Sequence, residues 1–425
     1  MTKFLLLVSA TSSIFIVRVI ASVIFVGVQW VVLSAFLRIL RSMGLSEKRE
    51  KLAVSIAVAL FALINAPLLW FVIETLVSPR SFLFYMPPPG YEKIVRPFAY
   101  LFFIWIIGSF FFAAAAPIAM SVYAAVQFFR RKKSSSDEGY TLAPVDLSRR
   151  RFMQMLLLAA ASMPFAMSAY GAVAARSRKV VERVVIPIQG LPEPLDGFTI
   201  VQMSDVHAGF FMKEATMREY VEIANALEPD IVALTGDFVA TDKNQVEPFM
   251  RAMAGLRARR GVFGCLGNHD MFTGSEVELE RQFDAAGFKL LRSMSERIDV
   301  DGALLNIVGV DFIGGGSRDL TLEQALRGIP LDGTTILLLH APYSFPQVAT
   351  KGIHLTLSGH THGGQIALTL GDMILTPARL STVFLAGLFK IGDSHLYVNR
   401  GLGTTGPPIR IGAPPEITHL TLKAV

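Results

Sequence analysis

Cysteine and charge are what this sequence has least of. Its 425 residues include one cysteine, Cys265. An intrachain disulfide is therefore excluded, and cysteine usage is silent on redox compartment. Cys265 lies in the apolar run 261–266 and reads as a small buried strand residue. Charged residues make up 17% of the chain against 52% hydrophobic, an unusual balance for a soluble protein. The shortage of charge falls almost entirely before residue 177, and the remainder resembles an ordinary globular domain. The formal net charge of +6 is modest for this length. Many basic residues fall in short runs beside apolar segments, at 130–133, at 149–151, and at Arg176, Arg178, Lys179 and Arg183. Such runs suit membrane orientation. No basic stripe interleaved with aromatics follows, so no nucleic-acid polymer is expected as a partner.

The length predicts two regions, a transmembrane helical region over 1–178 and a globular domain over 183–425. About 20 apolar residues cross a bilayer. Four stretches approach that: 4–40, 53–77, 98–128 and 152–175. The first is too long for one straight span and too short for two, and Arg18 interrupts it. A cleavable signal peptide explains only one of the four. The loop 38–51 holds five basic residues and the segment 130–151 holds seven, which places both in the cytoplasm. The connection 78–97, with Pro87, Pro88 and Pro89, then lies outside. About four spans put everything after residue 178 in the periplasm or cell exterior, with the chain integral to the inner or plasma membrane. The bilayer is the first expected partner. Residues 134–139 read as a flexible linker. Residues 148–153, Ser-Arg-Arg-Arg-Phe-Met, read either as a positive anchor for the last span or as a twin-arginine export signal.

From residue 184 onward, β-branched runs alternate with helical patterns, an α/β layout. Strands are predicted at 198–203, 230–235, 261–266, 303–310, 334–339 and 353–358, with further strands at 395–399 and 416–422. Helices are predicted at 212–227, 245–256 and 276–286. In such sheets, sites form beyond the carboxyl ends of strands. Five strands end in chemistry-bearing residues: Asp205 and His207, Asp237, Asn268 with His269 and Asp270, His340, and His360 with His362. Carboxylate, imidazole and amide suit Mn, Fe or Zn, and no thiolate is offered. His354 lies mid-strand and reads as structural. Gly314–316 lacks the Gly-Lys-Ser/Thr pattern of a nucleotide loop and reads as a flexible loop.

Taken in order, Asp205-Val206-His207, Gly236-Asp237, Gly267-Asn268-His269-Asp270, His340 and Gly359-His360-Thr361-His362 resemble the motifs of calcineurin-like metallophosphoesterases. The resemblance covers roughly 183–425. It implies a sandwich of two mixed sheets flanked by helices, and two divalent metal ions. By that resemblance Asp205, His207 and His362 hold one ion, Asn268, His340 and His360 hold the other, and Asp237 bridges them. A metal-bridging hydroxide would attack the phosphate ester. His269 would contact the phosphate and protonate the leaving oxygen, with Asp270 orienting its ring. A second acidic residue common three positions after the Gly-Asp aspartate is replaced here by Ala240, so no role is carried over. Arg400 and Arg410 lie in a matching tail segment, where phosphate contact and a structural salt bridge are both open.

The expected function is a membrane-anchored, metal-dependent phosphoesterase acting on an envelope or lipid-linked phosphate. Two alternatives are a phosphodiesterase on soluble nucleotides and an inactive phosphoesterase domain serving as a membrane receptor. Nothing in the loops 210–215 and 313–319 encodes a head group.

Overall fold

A computed structural model describes residues 2–77, 91–134, 147–312, 322–371 and 373–425. The connection 78–90, most of the linker at 134–139, the glycines 314–316 and the loop 313–319 lie outside the described residues. So do the side chains of 148–153. The chain divides into two compact units, Met1–Tyr170 and Gly171–Val425.

The first unit is helical: α1 (Thr2–Ser42), α2 (Glu47–Ile64), α3 (Ala66–Val77), α4 (Glu92–Ser134) and α5 (Leu147–Ser177), the last continuing into the second unit. Among the described residues two segments are long and apolar enough to cross a membrane, Arg18–Arg41 and Glu92–Ile118. The first lies almost wholly within the long stretch 4–40. The stretch 53–77 is one run in sequence but two helices in space. They meet at Asn65, whose Nδ2 donates to the Phe61 carbonyl at 2.9 Å. Two residues on, Pro67 has no N–H to continue the ladder. Asn65 has a second use. Trp105 Nε1 on α4 donates to Gln29 Oε1 on α1 at 3.0 Å and lies 3.3 Å from Asn65 Oδ1. Polar groups in an apolar bundle are costly unless paired, so this trio fixes how three helices register. The Trp105 ring also stacks on Phe165 at 5.1 Å.

The second unit holds two six-stranded mixed sheets. Fourteen strands are numbered in chain order: β1 (Val180–Ile188), β2 (Thr199–Met203), β3 (Ile231–Thr235), β4 (Val262–Cys265), β5 (Lys289–Leu290), β6 (Met294–Val300), β7 (Ala303–Gly309), β8 (Thr334–Leu338), β9 (Leu355–Ser358), β10 (Leu368–Leu370), β11 (Met373–Leu375), β12 (Gly387–Ile391), β13 (Ser394–Val398) and β14 (Glu416–Ala424). One sheet runs β1-β14-β2-β3-β4-β5 and the other β12-β13-β9-β8-β7-β6. β10 and β11 form a separate two-stranded ribbon. β1 begins at Val180, ahead of the expected domain start, because it pairs in parallel with the last strand, β14.

Strand alternation builds three apolar layers. Ile231 and Ala233 of β3 point between the sheets with Phe263, Leu305, Ile336, Leu338 and Leu357. Val232 and Leu234, one residue out of phase, face the opposite side. There they meet Met217 and Tyr220 of α6 (Glu214–Asn225), Phe249 and Met253 of α7 (Val246–Met253), and Phe283 of α9 (Glu276–Ala285). Val308, Leu337 and Val398 pack outward in the other sheet against Phe345 and Val348. With both faces buried, the central strands read as continuous apolar runs. Cys265 is fully buried in β4.

Parallel pairing aligns the carboxyl ends of β2, β3 and β4 in one sheet, and of β8 and β9 in the other. A buried polar bridge ties the two edges together. Gln202 Nε2 donates to the Ser358 carbonyl at 2.9 Å and to Thr235 Oγ1 at 3.0 Å. All five loops that follow these strands therefore open onto one place.

Candidate metal centre

Those loops bring together the seven candidate ligands named from the sequence. Asp205 and His207 follow β2, Asp237 follows β3, and Asn268 opens α8 (Asn268–Phe272) just after β4. His340 follows β8, and His360 and His362 follow β9. Two clusters result. In one, His207 Nε2 lies 3.1 Å from His362 Nε2, which is 3.4 Å from Asp205 Oδ1. In the other, His340 Nε2 lies 3.2 Å from Asn268 Oδ1 and 3.2 Å from His360 Nδ1. Asp237 Oδ2 joins them, 3.5 Å from His207 Nε2 and 3.3 Å from His340 Nε2. One carboxylate oxygen thus belongs to both clusters. His360 turns its Nδ1 inward and His362 its Nε2, so the two rings of the His-x-His pair serve opposite sides.

The backbone is bent to achieve this. Asp205, His207, Asp237, His360 and His362 all have positive φ, between 48° and 70°. Left-handed backbone at non-glycine residues costs about 1 kcal/mol or more each and persists where the surroundings over-determine it. Here it concentrates on five of the seven candidate ligands. Close approach adds to the constraint. A Cβ on Gly359 would collide with Ser204 Oγ and Asp205 Oδ2, and one on Gly267 with Asp237 Oδ1.

Burial sets the charges. It pushes the His207 imidazole down to about 3 and His360 to about 4, and holds His362 well below its ordinary value. These rings are neutral at pH 7, with lone pairs free to bind a cation. Burial opposes charge on His340 too, but the Asp237 carboxylate beside it overrides this and lifts the imidazole to about 10. Burial likewise works against the Asp237 carboxylate, yet charge on His340, with its hydrogen bond, pulls Asp237 below the usual carboxylate range. Burial raises Asp205 to about 6. Burial, then the charge of Asp237, raises Asp270 to about 7. Converging carboxylates and neutral imidazoles without thiolate are a donor set for divalent Mn, Fe or Zn. The residues fit such ions.

His269 lines the same cleft and stands 4.6 Å from His207, ring edge to face. Its Nδ1 lies 2.5 Å from the Ala240 carbonyl, and its backbone N–H donates to Asp237 Oδ1 at 2.8 Å. The expectation that Asp270 orients this ring is corrected by the geometry. Asp270 is fully buried and its oxygens accept from the backbone N–H groups of Phe238 at 2.8 Å, Val239 at 3.2 Å and Gly267 at 2.9 Å. It clamps the loops after β3 and β4 together, and the Ala240 carbonyl orients His269. A carbonyl needs no particular side chain, so Ala240 makes this contact through its backbone alone.

Arg400 and Arg410 do not line the cleft. Arg400 pairs with Glu416 at 2.8 Å and Glu182 at 2.6 Å. Arg410 is fully buried in a cage of carbonyls, with Nε on Gly403 O and Nη1 on Ala413 O, both at 2.9 Å. Its Nη2 lies 3.1 Å from His362 Nδ1, so it braces a candidate ligand from behind. His354 is structural, its Nδ1 accepting from the Thr335 N–H at 3.2 Å. Thr405 was not singled out by sequence. Its Oγ1 lies 2.9 Å from His362 Nε2 and 3.2 Å from His207 Nε2. The only hint was its place in the glycine-rich run 401–406. The cleft holds about 370 Å³ and is also lined by Gln365, Ile366, Pro377 and Pro407.

Comparison with known proteins agrees with this geometry. The family model of calcineurin-like phosphoesterases matches residues 198–364. A Bacillus subtilis metallophosphoesterase is 32% identical over 285 residues, covering 65% of this chain and 98% of that protein. A Bos taurus transmembrane protein with metallophosphoesterase domain is 28% identical over 337 residues, covering 74% of each. An Aquifex aeolicus metallophosphoesterase is 32% identical over 248 residues, covering 57% of this chain and 91% of that protein.

Proposed function

Because the chain belongs to the calcineurin-like metallophosphoesterase family, we propose that it is a membrane-anchored hydrolase that cleaves phosphate esters at a two-cation centre, with an envelope or lipid-linked phosphate as substrate. The observation that carries this reading is the single oxygen, Asp237 Oδ2, shared by both ligand clusters. Asp205, His207 and His362 would hold one ion, Asn268, His340 and His360 the other, and Asp237 both. Two divalent cations, when bound, supply a water of lowered pKa and neutralise the phosphoryl oxygens.

The chain's own residues do the rest. Hydrolysis bonds a water oxygen to phosphorus, breaks the ester bond, and leaves an oxygen that needs a proton. His269 is the candidate donor. With its Nδ1–H held by the Ala240 carbonyl, Nε2 is the nitrogen left for the cleft, and it donates only from the doubly protonated ring. Asp270 and Arg410 are positioning residues. Asp270 holds the loops that carry Asp237 and Asn268, and Arg410 backs His362.

A manganese-supplemented assay with bis(4-nitrophenyl) phosphate tests the reading. Turnover should depend on added metal, and Asp237→Asn should lower it by about 10³-fold or more while the fold persists. Turnover that survives Asp237→Asn removes the shared-carboxylate mechanism. The domain is proposed to face the periplasm or exterior. A reporter active only in the cytoplasm should work when fused at Ser135 and fail at Arg183. The opposite pattern overturns the orientation.

A further inference from the structure

The turn that carries His360 and His362 ends in Gln365, whose side chain the proposed chemistry does not use. Its backbone has φ 52° and ψ −52°, although no glycine stands there. Such backbone at a non-glycine residue is costly and persists where other contacts hold it. Those contacts are at hand. The Gln365 carbonyl accepts from the Ile411 N–H at 2.9 Å. Its side-chain Oε1 accepts from the Thr405 N–H at 2.9 Å. Its Nε2 donates to the Thr405 carbonyl at 3.1 Å and to the Pro407 carbonyl at 3.0 Å. One side-chain amide thus takes both backbone groups of Thr405, and so fixes where that residue stands.

What that place offers is a hydroxyl at the first ligand cluster. Thr405 Oγ1 lies 2.9 Å from His362 Nε2 and 3.2 Å from His207 Nε2, and the two nitrogens are 3.1 Å apart. The three atoms form a nearly equilateral triangle. Donors about 2.1 Å from one octahedral ion stand about 3.0 Å from their neighbours, so each side of the triangle suits a shared cation. Hydrogen bonds span such distances too, and here the setting of Thr405 bears on the choice. It is an exposed residue lining the cleft, where water is a ready partner for a hydroxyl. The hydroxyl stands instead between two neutral imidazoles, on a backbone clamped by a group that touches neither ring. Its oxygen has lone pairs to offer and is a hard donor suited to manganese.

We propose that Thr405 Oγ1 is a further donor to the cation held by Asp205, His207 and His362, and that Gln365 is the positioning residue that keeps it in reach. This rests on the two-cation reading and extends the centre to a loop that follows β13.

Manganese binding to the full chain in detergent tests it, read from the electron paramagnetic resonance of unbound manganese. The unsubstituted chain should bind two ions. Thr405→Val keeps the shape and removes the hydroxyl. It should weaken one of the two ions by about tenfold or more, the scale for losing a contact at a metal site. Thr405→Ser should keep the unsubstituted affinity. Gln365→Leu should weaken the same ion, and the double variant should bind as Thr405→Val does alone, because the amide acts through that hydroxyl. Since Thr405 is exposed, the metal-free melting temperature should not move in either Thr405 variant. Unchanged or tighter binding in Thr405→Val overturns the proposal, because a hydroxyl that only fills an empty site competes with the ion. Equal weakening of both ions by Thr405→Val and Thr405→Ser marks a general disturbance of the loop and also overturns it. Two tightly held ions with an indifferent Thr405 leave the two-cation reading standing. An unsubstituted chain that binds no manganese removes that reading and this proposal together.

Discussion

The two units spend their apolar residues in opposite ways. In the helical unit, large apolar side chains such as Trp30, Leu63 and Ile118 stand exposed along whole helices. In the sandwich unit, comparable residues line three closed layers, and exposure gathers on the ribbon beside the cleft. Polar groups show the reverse. In the helical unit a small polar trio, Gln29, Asn65 and Trp105, links elements. The sandwich buries a whole constellation of carboxylates and imidazoles at its strand ends. The difference teaches that the first unit is defined by its solvent and the second by its site. A change that keeps composition should be tolerated in one and fatal in the other.

The largest effect should come from the centre itself. His269→Ala should lower kcat on an alkyl phosphodiester, whose leaving oxygen needs a proton, by about 10²–10⁴-fold, the range for a lost general acid, with metal content unchanged. A loss of bound metal would make His269 a ligand and redraw both clusters.

Paired glycine substitutions compare the two units directly. Gly359→Ala forces a methyl into Ser204 and Asp205 and should cost about 3 kcal/mol, the upper range for overpacking, with loss of metal. Gly27→Ala in α1 meets nothing within 4 Å and should be neutral or slightly stabilising. Unfolding midpoints and metal content check both. Equal effects would break the contrast.

The smallest effect is the pH dependence of metal stabilisation. In the metal-free protein His207 and His360 have folded values near 3 and 4, below the unfolded value. Their contribution is present above pH ~6.5 and lost as pH falls toward those values. Asp205, raised to about 6, contributes in the opposite sense, and that stability is lost as pH rises through about 6. His340, raised to about 10, holds a proton throughout this range. Metal must displace the His340 proton at either pH, and at pH 5 it must displace the Asp205 proton too. The rise in melting temperature on adding manganese should therefore be larger at pH 8 than at pH 5. An equal or reversed rise would show that these protons are not linked to metal binding.

Much of the site was legible because its residues sit directly after apolar runs. Asp205, Asp237, Asn268, His340 and His360 each follow a strand readable from local pattern, and parallel strands deliver their ends to one edge. The strands themselves were found within a residue or two, with β2 at Thr199–Met203 against 198–203 and β8 at Thr334–Leu338 against 334–339. Contacts made across the fold were not legible. The job of Asp270 depends on backbone N–H groups some thirty residues away, and that of Ala240 on a carbonyl present at every position. For Arg410 a phosphate contact and a structural role are both open in the sequence, because its cage comes from residues that converge only when the tail folds back. The break at Asn65 was hidden because an asparagine and a proline barely alter the mean hydropathy of 53–77.

The sequence by itself determined the inventory of this protein. Local order and composition decide which segments are apolar enough for a bilayer, which runs become strands, and which ligand-bearing residues follow them. Only the tertiary structure decided the geometry. It chose the ring nitrogen each histidine presents, made one oxygen of Asp237 common to two clusters, and left the ribbon bare beside the cleft. Those outcomes depend on distances between residues far apart in the chain, and sheet packing sets such distances where no local pattern does.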